Sequence, residues 1–271
     1  KEHHAEKYRQ PSSNRYKRSA EDDQVRGPYN ANKRSRYVEL VIVADNREFI
    51  ATGRNLRALH DKLKTLANII NSVFAPLDIF IALVGVEVWT EYDKILFSEN
   101  SSVTLTNFLS YRIENLVRDK PHDNAQLLTR QHFDGGVIGK ALRGSMCSAQ
   151  SGGIAEDHST VIGLVAITIA HEMGHNFNMD HDVGGCECPD QKCIMSPVSD
   201  SVIPAKWSSC SLQYLTSGYE KGLDYCLRNK PKRLFESPTC GNGFVEPGEQ
   251  CDCGKAAYPN ALNPCHACCQ P

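Results

Sequence analysis

Apolar residues along this chain follow two different periods, and the switches between them outline a layered domain. Tyr37–Ala44 is a run of β-branched and aliphatic side chains, read as a buried strand. Leu56, Leu59, Leu63, Leu66, Ile70 and Val73 recur at steps of three and four, so Asn55–Val73 is predicted as an amphipathic helix, with Pro76 beyond its end. Ile79–Trp89 reads as a second buried strand. Leu105, Phe108, Leu109, Ile113 and Leu116 give a second helix, and Gln126–Thr129 a short strand. The glycine-containing stretches Phe133–Gly139 and Gly152–Ala155 are loop or edge strand. Val161–Ala170 is apolar and leads a core helix that should end near Asn178. Ser211–Leu227 is predicted as the last helix, with Ser211 as its N-cap. The order β-α-β-α-β-β-α predicts an α/β fold built on a mixed sheet.

Residues 1–36 break this pattern. They hold ten Lys or Arg, five Asp or Glu, and no Leu, Ile, Phe or Met, for a local charge of +5. Such a segment cannot bury enough apolar surface to fold, and reads as a solvated linker. The rest of the 271 residues then carry −7 of the overall −2. That balance gives no general case for nucleic acid or an anionic membrane as partner. No apolar run is long enough to span a bilayer, and no signal-like segment opens the chain, so it reads as part of something longer, with any anchor elsewhere. All twelve cysteines lie beyond residue 146, which points to an oxidising, extracellular or cell-surface setting. The sequon Asn100–Ser101–Ser102 agrees with secretion as a glycoprotein. Lys230–Pro238 is basic and proline-flanked, a linker between two cysteine-bearing parts.

The candidate chemistry sits in Ile162–His181. His171 and His175 stand four apart, hence on one helix face, one turn from each other. Two imidazoles so placed suit a shared zinc ion, and Glu172 between them is placed as general base rather than ligand. If the chain doubles back near Asn178, His181 completes three neutral imidazoles and leaves one position open, a catalytic arrangement. The plain reading is a buried helix with two satisfied histidines. The third histidine, Asp182 behind it, the apolar run before it and Met195 downstream all go beyond that reading.

With those residues the sequence strongly resembles the adamalysin (reprolysin) zinc metalloproteases, which include the ADAM proteins. The third histidine followed by Asp is that group's variant of the metzincin signature, and Met195 falls where its Met-turn belongs. One departure is Asn178, where the family has Gly; positive φ is expected there, since Asn tolerates that conformation next best. The resemblance implies the metzincin fold: a twisted mixed sheet with helices over residues 37–230 and a small irregular lower subdomain. It implies zinc on His171, His175 and His181, Glu172 as base, Met195 as a packed floor and Asp182 buried near the Met-turn. Peptide substrate would join the sheet along Gly153–Ile154–Ala155, and Pro197–Ser209 would line the pocket beside the scissile bond. It implies the disulfides Cys147–Cys226, Cys186–Cys210 and Cys188–Cys193; the residues alone leave fifteen pairings, and a structural zinc cluster at Cys186–Cys193 is the rival.

Further implications concern calcium and the chain ends. Glu39 is odd inside a core strand. By resemblance it joins Asp93, the Cys226 carbonyl and Asn229 around a calcium ion, against the alternative of a Lys or Arg partner. Residues 239–271 resemble the opening of a disintegrin domain. There Asn242, the Phe244 carbonyl, Glu246, Glu249 and Asp252, with Thr239, would form a second calcium cradle. Arg15–Tyr16–Lys17–Arg18 matches a furin-type convertase site, so residues 1–36 are the end of a pro-domain whose inhibitory part lies upstream, as in a zymogen. The expected function is a zinc endopeptidase acting on extracellular or membrane-anchored proteins, secreted or membrane-anchored itself. Integrin or other cell-surface partners would engage a full disintegrin domain. The competing reading is a catalytically silent adhesion or receptor-binding module on the same scaffold.

Overall fold

The computed structural model describes residues 27–28, 31–236, 242–249 and 252. The convertase-type site at Arg15–Arg18, Thr239 and the cysteines from Cys240 onward lie outside them. Among the described residues, five strands form one sheet in the order β2-β1-β3-β5-β4. These are β1 (Arg36–Ala44), β2 (Ile79–Val88), β3 (Asn124–Thr129), β4 (Gly139–Ala141) and β5 (Gly152–Glu156). The pairs β2–β1, β1–β3 and β3–β5 are parallel, and only β4 runs antiparallel to its neighbour. Parallel strands need covering on both faces, which is why β1 reads as a near-continuous apolar run and why β3, though it carries Asn124, Gln126 and Thr129, is buried along its whole length.

Helices supply the two covers. On one face lie α2 (Leu56–Phe74) and α5 (Ile162–Asn176), burying Leu59, Leu63, Leu66, Ile70, Val165 and Ile169 against Leu40, Ile42 and Ala155. The other face is covered by α3 (Ser101–Tyr111), whose Leu105, Phe108 and Leu109 meet Val41, Leu127 and Ile154. Asn55 caps α2 by accepting the Ala58 N–H at 3.1 Å. A short helix α1 (Asn46–Ala51), capped by Asp45, precedes it and was not apparent from hydrophobic period. Past α3 the backbone widens into a π-helical stretch, Arg112–Leu116, before the short α4 (Val117–Asp119). Buried Arg112 leaves the helix there to donate to the carbonyls of Ala149 (2.9 Å) and Asp123 (3.0 Å). The last helix, α6, spans Ser209–Glu220, and its cap is Ser208, whose Oγ accepts the Ser211 N–H at 3.1 Å. The predicted Ser211–Leu227 helix therefore starts earlier and stops sooner, at Lys221 and the positive-φ Gly222.

One expectation about the sheet is overturned. β5, which includes Gly153–Ile154–Ala155, is not an edge: it is hydrogen-bonded to β3 on one side and β4 on the other, and it is fully buried. Its backbone groups are already used, so no peptide can add to it. The free edge beside α5 belongs to β4.

Candidate active site

Helix α5 carries His171 and His175 on one face, with ring centroids 4.8 Å apart. The helix ends at Asn176, and the chain reverses at Asn178, whose φ is +74° as its replacement of glycine required. The Asn178 N–H donates to His175 O at 2.9 Å, and its side chain donates to Tyr214 O at 3.1 Å. This turn brings His181 back. Its Nε2 lies 3.1 Å from Nε2 of His171 and 3.2 Å from Nε2 of His175.

The tautomers follow from the other side of each ring. Nδ1 of His171 faces Ile194 O at 2.7 Å, and Nδ1 of His175 faces Met179 O at 2.9 Å. Carbonyls only accept, so both Nδ1 atoms carry protons and both Nε2 atoms present lone pairs. Burial pushes His171 down to about 4 and His175 below the usual histidine range, which keeps both neutral. A tetrahedral zinc with bonds of about 2.05 Å would set its nitrogen ligands about 3.3 Å apart. The donor set and spacing fit that ion, and these three residues form a cluster able to hold a metal.

Glu172 lies beside them, buried between α5 and the edge strand. Its Oε2 is buried without a hydrogen-bond partner. Burial raises its carboxyl to about 8, opposed by the positive charge of Lys140. The space it occupies exists because residue 139 is glycine: a Cβ there would stand 2.4 Å from Glu172 Oε1 and 2.9 Å from its Cδ. Hydrophobic period gave no sign of this role. The signal was available only as a glycine in a stretch open to an edge-strand reading.

Beneath the histidines, Met195 is fully buried. Gly174 lets α5 rest on it, since a Cβ at that position would lie 2.6 Å from Met195 Sδ. Met195 O accepts the Asp182 N–H at 2.8 Å, and the Asp182 carboxylate accepts from Ser208 Oγ. Asp182 is half-buried rather than buried, because it stands at the rim beside exposed His181. Disulfides join Cys186 to Cys210 and Cys188 to Cys193 in the segment below, and Cys147 to Cys226 further away. The lower segment is thus stapled by sulfur rather than by strands.

A cleft of about 670 Å³ opens at the site. Its walls include Ile138 and Gly139 from the edge, Ile167 from α5, and Val198, Val202 and Pro204 from the loop after Met195.

The residues expected around calcium are not all together. The Asn229 side chain donates to Glu39 Oε2 at 3.2 Å. Asp93 is elsewhere: it accepts the Asn46 N–H at 2.7 Å, beyond the C-terminal end of β1 and about 20 Å along that strand from Glu39. The carboxylate beside Glu39 is that of Asp123, which accepts the Glu39 N–H at 2.9 Å. Asp123 also shares a surface pocket with Cys226. Burial, with the Glu39 charge adding to it, raises Asp123 to about 6, and burial raises Glu39. In the other acidic stretch, Asn242 donates to Glu246 Oε2 at 2.8 Å and its N–H to Asp252 Oδ2 at 3.1 Å. Glu249 accepts the Glu246 N–H at 3.0 Å, and Phe244 N–H donates to Asn242 Oδ1 at 2.8 Å. Burial raises Glu249, with the Asp252 and Glu246 charges adding to it. Asn100 caps α3 through its side chain, which accepts the Ser102 N–H at 2.9 Å, on an exposed surface.

A helix bearing His-Glu-x-x-His, a third histidine returned by a tight turn, a methionine floor and an adjacent sheet edge together define a metalloprotease domain. Residues 36–231 match the family described as Reprolysin (M12B) family zinc metalloprotease. The chain belongs to that family. It is 46% identical over 232 residues to mouse "Disintegrin and metalloproteinase domain-containing protein 12", covering 82% of this chain and 26% of that protein. It is 42% identical over 231 residues to "Disintegrin and metalloproteinase domain-containing protein adm-2" of Caenorhabditis elegans, covering 84% of this chain and 24% of that one. The chain therefore spans about a quarter of these relatives' length. A solved structure titled "Structure of a chaperone-substrate complex" shares the fold at a TM-score of 0.54 and 13% identity, over 73% of this chain and 40% of that one.

Proposed function

We propose that this chain is a zinc endopeptidase with His171, His175 and His181 as the zinc ligands and Glu172 as general base. The observation that carries this reading is the Nε2 convergence of the three imidazoles next to a buried carboxylate whose Oε2 has no partner. Bound there, zinc supplies Lewis-acid polarisation of a peptide carbonyl and makes a water more acidic. The chain's own residues do the rest. Ionised when a zinc charge opposes the burial that raises it, Glu172 would take a proton from the attacking water at Oε2 and pass it to the leaving amine nitrogen. Ile194 O and Met179 O hold the two helix imidazoles in the ligating tautomer. An extended peptide pairs with the free edge of β4, antiparallel to it, and sets the side chain after the scissile bond into the cleft beside α5.

Extracellular protein substrates, a place at the cell surface, and cell-surface partners through a complete disintegrin domain are part of the same proposal, supported by disulfides that form in oxidising compartments and by the disintegrin in the relatives' names. So is the division into residues 1–36, 37–230, 231–238 and 239–271. Calcium sites are proposed at Glu39, Asp123, the Cys226 carbonyl and Asn229, and at Asn242, the Phe244 carbonyl, Glu246, Glu249 and Asp252, where half-buried and buried carboxylates crowd one another. No observation at the catalytic residues favours the adhesion-module reading. The deciding experiment is peptide turnover by the purified chain. Activity should disappear in Glu172→Ala and on zinc chelation, and return with added zinc in the chelated wild type only. Undiminished cleavage by Glu172→Ala would sink the mechanism.

A further inference from the structure

The edge strand β4 carries a charge that the proposed chemistry does not use. Lys140 is half-buried and makes no hydrogen bond or ion pair among the described residues. Its direction follows from the register. Gly139 lies opposite Ala155, which packs on the α2–α5 side, whereas Lys140 lies opposite Ile154, which packs on α3. Facing residues in a ladder share a face, so Lys140 points away from the metal cleft, toward α3. There it borders a groove of about 200 Å³ with Leu105, Leu109, Ile113, Leu142 and Gln150. No carboxylate lines that groove, so Lys140 is its one charge.

A peptide antiparallel to β4 meets this groove in a defined way. The cleft beside α5 is walled by Val137, Ile138 and Gly139, and the groove by Lys140 and Leu142. Residues before the scissile bond therefore lie along Lys140–Leu142. Side chains alternate across a strand. If the residue after the scissile bond enters the cleft, the first and third before it face α3. We propose that Lys140 makes this enzyme select substrates with an acidic side chain at the first or third position before the cleaved bond, the apolar groove walls packing its methylenes. This inference rests on the peptidase reading for its register, and its test separates the two.

Peptides identical except for Glu or Gln at those positions are compared with the wild-type chain, Lys140→Met and Lys140→Glu. Turnover is measured as kcat/KM, and binding by anisotropy on the same three proteins carrying Glu172→Ala. An exposed-to-half-buried ion pair supports a preference of about two- to fivefold for Glu over Gln. Lys140→Met should bring the ratio to one and Lys140→Glu should reverse it. Taking the ratio within each protein cancels any effect of Lys140 on Glu172. The wild-type preference should also shrink as salt rises. Equal Glu-to-Gln ratios in wild type and Lys140→Met, in binding and in turnover, overturn the proposal. If the wild type cleaves nothing, the peptidase reading fails, and the binding ratios still decide the role of Lys140.

Discussion

Replacing Gly139 with alanine adds one methyl group at the wall of the active site. The new Cβ would start 2.4 Å from Glu172 Oε1, 2.9 Å from Cδ and 3.0 Å from Cγ. Ordinary contact begins about 1 Å further out than the first of these, so the carboxylate must shift by about 1 Å or the edge strand must move away. A misplacement of about 1 Å in a reacting group costs on the order of 100-fold in rate. The expected result is a kcat/KM loss of about that size for Gly139→Ala, measured on a quenched peptide. Overpacking also costs about 1–3 kcal/mol, so a thermal melt must show the variant folded at the assay temperature. The double variant Gly139→Ala/Glu172→Ala gives the sharper check. If the methyl acts only through the carboxylate, adding it to inactive Glu172→Ala costs no further melting temperature. Wild-type kcat/KM in folded Gly139→Ala would refute the reasoning.

Other expectations concern the supports of the site. Gly174→Ala drives a methyl to 2.6 Å from Met195 Sδ and should lower stability by about 1–3 kcal/mol, read by urea melts, with weaker zinc retention on dialysis. Asn178→Ala should cost about 1–2 kcal/mol at φ +74°, whereas Asn178→Gly should be nearer neutral; equal losses would mean that the side-chain bond to Tyr214 O matters and the backbone does not. Calcium should raise Tm over EGTA, each site adding about 2.7 kcal/mol of stability at 100 times its Kd; if Asp123 is a ligand, Asp123→Asn shrinks that gain and Asp93→Asn leaves it. Burial raises the Glu48 carboxyl, so the folded state keeps a proton that the unfolded state has released. Stability should therefore fall as pH climbs from the ordinary glutamate value toward the raised one, and Glu48→Gln should flatten that limb of the Tm curve.

Much of this is legible in the sequence. The period of Leu56–Val73 announced α2, and the β-branched runs announced β1 and β2, because burial alone dictates those patterns. The histidine spacing announced the metal cluster, because a helix fixes which side chains share a face. What stayed hidden depended on partners distant in sequence. Gly152–Ala155 and the stretch before it were equally open to loop or edge, and only hydrogen bonding to both neighbours makes β5 internal and β4 the edge. Asp123 reaches Glu39 because β3 pairs with β1, placing Leu40 opposite Asn124; spacing along the chain gave no hint of that register. The start of α6 moved because two serines compete as cap, and Ser208 sits where its Oγ meets the Ser211 N–H.

Ile194 hangs between two constraints. Its carbonyl fixes the proton on His171, and its neighbour Cys193 is tied back to Cys188 across a separation of five residues. While those two thiols are unjoined, as in a chain just made, that carbonyl is held by fewer anchors and the imidazole loses its guide. Joining those two thiols thus does more than toughen the domain: it steadies the carbonyl that keeps the His171 Nε2 lone pair turned toward the other two imidazoles.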